Sequence, residues 1–319
     1  MPDALTITAY FDGRPGHDKQ TQGVLQALQD LTEIVVCCRE VKPLGVRKAV
    51  KDWLAYARIW PKGGYETDGI KADLIIGTGT YTHIPMLLLK RRQGGRVVTC
   101  MGPDRLLVHR MDLCFVPEHD NPKPLENIMV TTGPPNPIRD MRSHNSNRGL
   151  VLIGGLDRRS HFWDSVSTVE QLKTLFERET SQTWTVSTSP RTPTDMCTLL
   201  DAVSAASPHV DFVRWEDTPK GWVEKAYADN ETVWVTADSI SMIFEALSAG
   251  CRVGILPVRW RKRQSKFERA ERELIITKRV QPFDRWLLTG CYTPAGPHLD
   301  EAGRCAAEML RRWWPNRLP

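Results

Sequence analysis

Short apolar runs recur along this chain, and a polar, often glycine-bearing stretch follows most of them. In the first half these runs are Leu5–Phe11, Glu33–Arg39, Asp73–Ile76, Arg96–Met101 and Leu113–Val116. None alternates cleanly between apolar and polar positions. That is the pattern of strands covered on both faces of a parallel sheet. Helical stretches fall between them: Lys19–Asp30, the Trp-containing Val46–Ile59 closed by Pro61 and Gly63-Gly64, and Ile84–Arg92. From Glu118 to Asn147 the character changes, with Pro122, Pro124, Pro134, Pro135 and Pro137 and thickening polarity. This stretch reads as a crossing between domains. A second series then opens: strand Gly149–Ile153, helix Trp163–Glu179, strand Thr183–Ser187, helix Thr194–Ser204, strand Asp211–Val213 and helix Gly221–Ala228. After Pro282 the chain crosses back, and a terminal helix, Asp300–Trp314, is expected to pack on the first domain. The expected fold is α/β, with two Rossmann-like domains facing each other across a cleft. Residues 1–147 form the first, 148–285 the second, and 286–319 the crossing helix and tail.

The densest signal is Thr236-Ala-Asp-Ser-Ile-Ser-Met-Ile-Phe-Glu-Ala-Leu-Ser-Ala-Gly250, set between the apolar runs Thr232–Val235 and Val253–Leu256. It predicts strand, polar turn, helix, glycine stop and strand. Asp238, Ser239, Ser241 and Met242 then lie at a helix N-terminus, where free N–H groups and the helix dipole favour an anion. Glu245 lies about one turn further on and can reach the same mouth. A phosphate at the helix start with a carboxylate for sugar hydroxyls suits a nucleotide-sugar. The same pattern also serves an ordinary core helix with Asp238 or Ser239 as its N-cap.

Ligands of open α/β sheets bind beyond the carboxyl ends of the strands, where the other polar loops of this chain fall. In Asp12-Gly-Arg-Pro-Gly-His17, Gly13 and Gly16 allow close approach, Arg14 can meet phosphate, and His17 or Asp12 can take a proton from an attacking hydroxyl. Gly77-Thr78-Gly79-Thr80 offers amides and hydroxyls. Gly154-Gly155 admits a ligand to the backbone, with Arg158 or Arg159 against a diphosphate. Ser187, Thr188, Ser189 and Arg191 follow another strand, and Arg191 suits a phosphate or base. Each of these loops also has a plain reading as a turn or a capped helix start.

Composition narrows the class. The chain has 319 residues, 41% of them apolar and 25% charged, as in a protein with real cores. No run approaches a membrane span, and the N-terminus lacks a signal-peptide pattern. Its eight cysteines show no zinc spacing. Reduced thiols and a cytoplasmic location, peripheral at the inner face of a membrane, are expected. The net charge of +5 concentrates in Arg259–Lys266 and Arg304–Arg317. With interleaved tryptophans these make binding to an anionic membrane surface worth considering, whereas no nucleic-acid-binding signature is present. No HExxH, GxSxG or carboxylate-rich cluster occurs, so neither a bound metal nor a cofactor is expected.

Taken together, Asp12–His17 with Gln20-Thr21, Gly77–Gly79 with Thr82–Pro85, Gly154-Gly155, Ser187–Pro193 and Thr236–Met242 resemble the elongated-mitochondria family. The family is named for a plant mitochondrial-fission factor and has many bacterial members, which often carry the description nucleoside-diphosphate-sugar epimerase. The resemblance runs from about residue 12 to Phe267. More widely, the chain resembles GT-B glycosyltransferases and the non-hydrolysing nucleotide-sugar 2-epimerases. That resemblance implies a nucleotide-sugar held mostly by the second domain. Gly154-Gly155 would be its glycine loop, Asp238, Ser239 and Ser241 its phosphate or sugar contacts, and Glu245 the carboxylate on the ribose. Gly13, Gly16 and His17 look like the first-domain glycine loop of the lipid-linked GlcNAc transferase of peptidoglycan synthesis. The chain departs from the paired-glutamate motif, since Cys251-Arg252 follows Gly250.

Three functions follow as expectations. The first is a metal-independent, GT-B-like glycosyltransferase with a nucleotide-sugar donor and a lipid-linked or cell-envelope acceptor. The second is a nucleoside-diphosphate-sugar epimerase or hydrolase. The third is a non-catalytic, membrane-associated interaction protein.

Overall fold

The computed structural model describes residues 4–41, 71–141, 143–262, 265–293 and 298–318. The helix expected over Val46–Ile59 lies outside the described residues. The chain divides into two units, Met1–Pro137 with Asp300–Pro319, and Ile138–Leu299.

The first unit is built on β1 (Leu5–Phe11), β2 (Ile34–Glu40), β3 (Leu74–Gly77), β4 (Arg96–Thr99), β5 (Leu113–Pro117) and β6 (Ile128–Thr131). These strands form one parallel sheet in the order β2-β1-β3-β4-β5-β6. β3 to β5 are buried throughout except for Arg96, which is why their sequences show no alternation. Helix α1 (Pro15–Leu31) starts four residues earlier than its periodicity suggests, because Pro15 fits a first helical position, where no N–H is needed. Gly16 and His17 are therefore helical rather than in a loop. Helix α2 (Thr80–Gln93) likewise begins before Ile84. β6 lies within the Pro-rich stretch read as a crossing, and pairs with β5 from Cys114↔Ile128 to Pro117↔Thr131.

The second unit contains β7 (Asn145–Leu152), α3 (Ser165–Arg178), β9 (Thr183–Ser187), α4 (Thr194–Ala206), β10 (Val210–Val213), α5 (Trp222–Asp229), β11 (Asn230–Thr236), α6 (Ile240–Ser248), β12 (Arg252–Leu256), α7 (Lys266–Ile276), β14 (Gln281–Pro282) and α8 (Phe283–Thr289). Its sheet is parallel in the order β10-β9-β7-β11-β12-β14. Two apolar clusters cover its faces. One packs α3 and α4 residues with Trp184, Trp234 and Trp286; the other packs α5, α6 and α7 residues, including Tyr227, Phe244 and Leu274. A small ribbon pairs β8 (His161–Phe162) with β13 (Arg259–Trp260).

Helix α9 (Glu301–Trp313) is capped by Asp300, which accepts from Gly303 N at 2.8 Å. Its face of Cys305, Ala306, Met309 and Leu310 is fully buried with Val24 and Leu28 of α1, so the terminal helix belongs to the first unit. The units divide at Pro137/Ile138, ahead of the boundary expected at 147, because Ile138 packs into the second unit's core. The other division falls at Leu299/Asp300 rather than 285, since α8 buries Phe283 and Trp286 in the second unit and Leu299 joins the same unit's core. Each unit is a doubly wound parallel sheet, and the fold is the two-Rossmann-like, GT-B-like class.

Candidate functional site

Each sheet has one point where its strand order reverses. In the first unit this lies between β1 and β3, and in the second between β7 and β11. Adjacent connections leave such a point in opposite directions, so a crevice opens beyond the strand ends.

At the first switch point the segment after β1 meets the segment after β3. Asp12 is buried and His17 stands one helical turn along on α1. Asp12 Oδ2 lies 2.9 Å from His17 Nδ1, with the histidine side chain about a quarter exposed. Asp12 Oδ1 accepts from Arg14 N at 3.1 Å. A carboxylate on Nδ1 selects the tautomer with the proton on that nitrogen and leaves Nε2 as the basic one. Gly79 faces this pair. A side-chain carbon there would overlap Asp12 Oδ2 and His17 Nδ1, and its φ of +107° is one that only glycine adopts freely. Thr78 is buried with its hydroxyl 2.9 Å from that of Thr21, tying the β3 segment to α1. Arg14 lies over the Tyr81 ring at 5.0 Å, and Thr80 opens α2. Gly13 is exposed at φ +76° with open space beside it, and Gly16 is equally unobstructed. Gly77 ends its strand, packed against Tyr10. Behind the pair, His83 is 1% exposed and within 3.2 Å of Thr99 Oγ1. Burial, then the charge of His17, push its pKa down to about 4, so it is neutral at physiological pH.

At the second switch point the loops after β7, β9 and β11 are tied together. Gly154 N donates to Thr236 Oγ1 at 2.8 Å. Gly155 N donates to Asp238 Oδ2 at 3.1 Å, and Arg191 donates to that oxygen at 2.9 Å and to Ser239 Oγ at 3.1 Å. Ser189 and Thr192 hydroxyls both donate to the Gly154 carbonyl, and Leu156 N donates to that of Arg191. A side-chain carbon on Gly154 would strike Asp238 and Ser239, and one on Gly155 the Arg191 backbone.

These loops enclose a cavity of about 620 Å³. Its wall includes Ser239, Ile240, Ser241 and Met242, the cap and first turn of α6, together with Asp157, Ser189, Arg191 and Asp238. Ser239 makes no side-chain capping bond, so the first-turn amides are left to whatever occupies the cavity. Asp238 Oδ1 is buried and has no partner. A buried acceptor without a donor costs about 1–3 kcal/mol. The Arg159 N–H, ahead of other causes, holds the Asp157 carboxyl below the usual range.

The structure thus gathers Gly154, Gly155, Ser189, Arg191, Asp238, Ser239, Ser241 and Met242, and separately Asp12, His17, Thr78 and Gly79. Several expected residues stand elsewhere. Glu245 is 4% exposed and does not line the cavity; its carboxylate faces the Tyr227 hydroxyl, whose pKa burial and then Glu245 push well up. Ser187 is buried at the end of β9, and Thr188 accepts from Trp215 N. Arg158 is exposed outside the cavity wall. Sequence assigned no role to Thr192, Thr236 or Asp157, and Thr21 entered only through the family resemblance. Thr192 and Thr236 lie in the polar loops but carry no charge to mark them, while the Thr21–Thr78 contact spans 57 positions.

The fold has solved likenesses. A putative UDP-N-acetylglucosamine 2-epimerase from Listeria monocytogenes matches with a TM-score of 0.60 and 13% identity over 97% of this chain and 95% of that one. The UDP-GlcNAc 2-epimerase from Methanocaldococcus jannaschii gives 0.53 and 13% over 96% and 100%. The enzyme of Neisseria meningitidis, bound to UDP-GlcNAc, gives 0.52 and 13% over 97% and 100%. At such identity the likeness concerns the fold. No curated protein matches the chain. The model of the mitochondrial fission ELM1 family matches residues 15–313, well past Phe267 and through the terminal helix, and the chain belongs to that family.

Proposed function

We propose that this chain is a glycosyltransferase that takes its sugar from a nucleoside-diphosphate donor. One observation carries the reading. The cavity of the second unit joins an uncapped helix N-terminus, whose amides offer donors to phosphate, to the partly exposed Arg191 guanidinium, which Asp238 holds beside it. A ligand bearing a diphosphate matches it. The Neisseria relative in fold holds UDP-GlcNAc, a ligand of that kind.

In the proposed reaction His17 Nε2 removes the proton from an acceptor hydroxyl, and Asp12 stabilises the imidazolium. The acceptor oxygen forms a bond to the anomeric carbon of the sugar. The bond from that carbon to the diphosphate breaks, and the leaving nucleotide keeps the electron pair. First-turn amides of α6 and the Arg191 guanidinium stabilise its charge. The acceptor class is a lipid-linked or envelope glycan.

The test is a thermal-shift screen with UDP, GDP, CDP, ADP and their sugars, on wild type and Asp238→Asn. A ligand that binds only the folded state raises Tm. A nucleotide-selective rise that shrinks in the variant supports the reading; no rise with any nucleotide overturns it. The second reading, an epimerase, draws on the 2-epimerases that share the fold. Incubating UDP-GlcNAc in deuterated water without acceptor separates the two, because epimerisation at C2 incorporates deuterium and transfer does not.

A further inference from the structure

The β8–β13 ribbon of the second unit belongs to neither large sheet. Residues facing each other across it share a face. His161 and Trp260 form the inner face: His161 is buried, and the Trp260 indole donates to Glu271 Oε2 at 2.6 Å and stacks on Phe267. Phe162 and Arg259 form the outer face. Phe162 is 43% exposed, with the Arg259 guanidinium 5.1 Å and that of Arg261 3.8 Å from its ring centre. Leu156 and Val166, close by in the chain, are also exposed.

The charge around this apolar tip is mostly positive. Arg158, Arg159, Arg259, Arg261, Lys262 and Lys266 are all exposed, and none forms an ion pair among the described residues. The nearby carboxylates are fewer: Asp157, the exposed Asp164, Glu271, and Glu268, which pairs with Arg272. Asp157 accepts from Arg159 N, Asp164 caps α3, and Glu271 is held by Trp260, with burial raising its pKa.

We propose that the ribbon and its flanking cations dock on an anionic phospholipid bilayer. The guanidinium and ammonium groups meet headgroup phosphates, while Phe162, Leu156 and Val166 enter the boundary with the acyl chains. The same features count against single-stranded nucleic acid, which needs open aromatic faces for bases, because Arg261 already covers the Phe162 ring. Among the described residues no helix is long and apolar enough to cross a membrane, so the contact is a surface one. The proposal does not depend on the nucleotide-sugar reading.

The experiment is co-sedimentation of the full chain with phosphatidylcholine vesicles, with and without phosphatidylglycerol. Binding is expected only with phosphatidylglycerol and is weakened by salt. The double variant Arg259→Gln/Arg261→Gln lowers partitioning about thirtyfold, at roughly fivefold per cation. Phe162→Ala lowers it about fivefold, from the apolar area it no longer buries. Unchanged Tm separates these losses from unfolding. If the arginine variant unfolds, the exposed pair Lys262→Gln/Lys266→Gln is read in its place. Equal binding to both vesicle types, no binding to either, binding unaltered by the charge variants, or capture of single-stranded RNA in preference to vesicles overturns the proposal.

Discussion

The two units place the same architectural feature, a switch point in a parallel sheet, at the base of two different constellations. In the first unit a buried aspartate orients a partly exposed histidine, and a glycine gives the pair its room. In the second a buried aspartate holds an arginine beside an open helix start, and another glycine makes that room. The first arrangement can move a proton. The second can hold phosphate. Topology therefore provides the location, and a few side chains decide its chemistry.

That division of labour can be broken experimentally. The largest effect is expected from His17→Ala, which should lower kcat about a thousandfold, within the usual range for a general base. Nucleotide affinity, measured by calorimetry, should stay unchanged. A lost affinity would show that the two constellations are not separate in role.

The paired glycines come next. Gly79→Ala forces a carbon into Asp12 and His17 at an unfavourable φ, and Gly154→Ala forces one into Asp238 and Ser239. Each should cost about 3 kcal/mol of stability by chemical denaturation, from overpacking at both sites and backbone strain at Gly79 alone. Their functional losses should differ: turnover for the first and nucleotide binding for the second.

A third test uses pH. The pKa of His83 is about 4 when folded and 6.5 as a free side chain, so the unfolded chain binds the extra proton between these values. Its contribution is complete above pH 6.5 and is lost as pH falls through about 4. That sign follows from linkage, and the loss is on the order of 3 kcal/mol. Denaturation midpoints of wild type and His83→Gln across this window should fall more steeply toward low pH in wild type.

The smallest effect sharpens the comparison within the second unit. Glu245→Gln should change UDP affinity less than about threefold, because its carboxylate faces Tyr227 instead of the cavity. A tenfold loss would restore the ribose-holding role that the family resemblance implied.

Much of this was legible beforehand. Thr236–Gly250, Gly154-Gly155 and Asp12–His17 announce themselves because glycine, small polar residues and apolar runs are distributed differently in strands, turns and helix starts. Other parts were hidden for definite reasons. β6 lies among prolines that mask its short run. Helix α7 begins inside a basic segment, where charge distracts from the period that buries Ala270 and Leu274. Glu245 sits on a helix that is buried nearly all round, so spacing alone could not tell cavity from core.

Sequence alone determined the alternation of strand and helix, the loops at the strand ends and the terminal helix as an element, since these rest on local pattern and periodicity. Tertiary structure decided which loops meet. Gly79 faces Asp12 and His17, Arg191 reaches Asp238, and the Tyr227 hydroxyl faces Glu245. Such pairings depend on strand order within a sheet, which brings distant segments side by side and is written in no single stretch of chain.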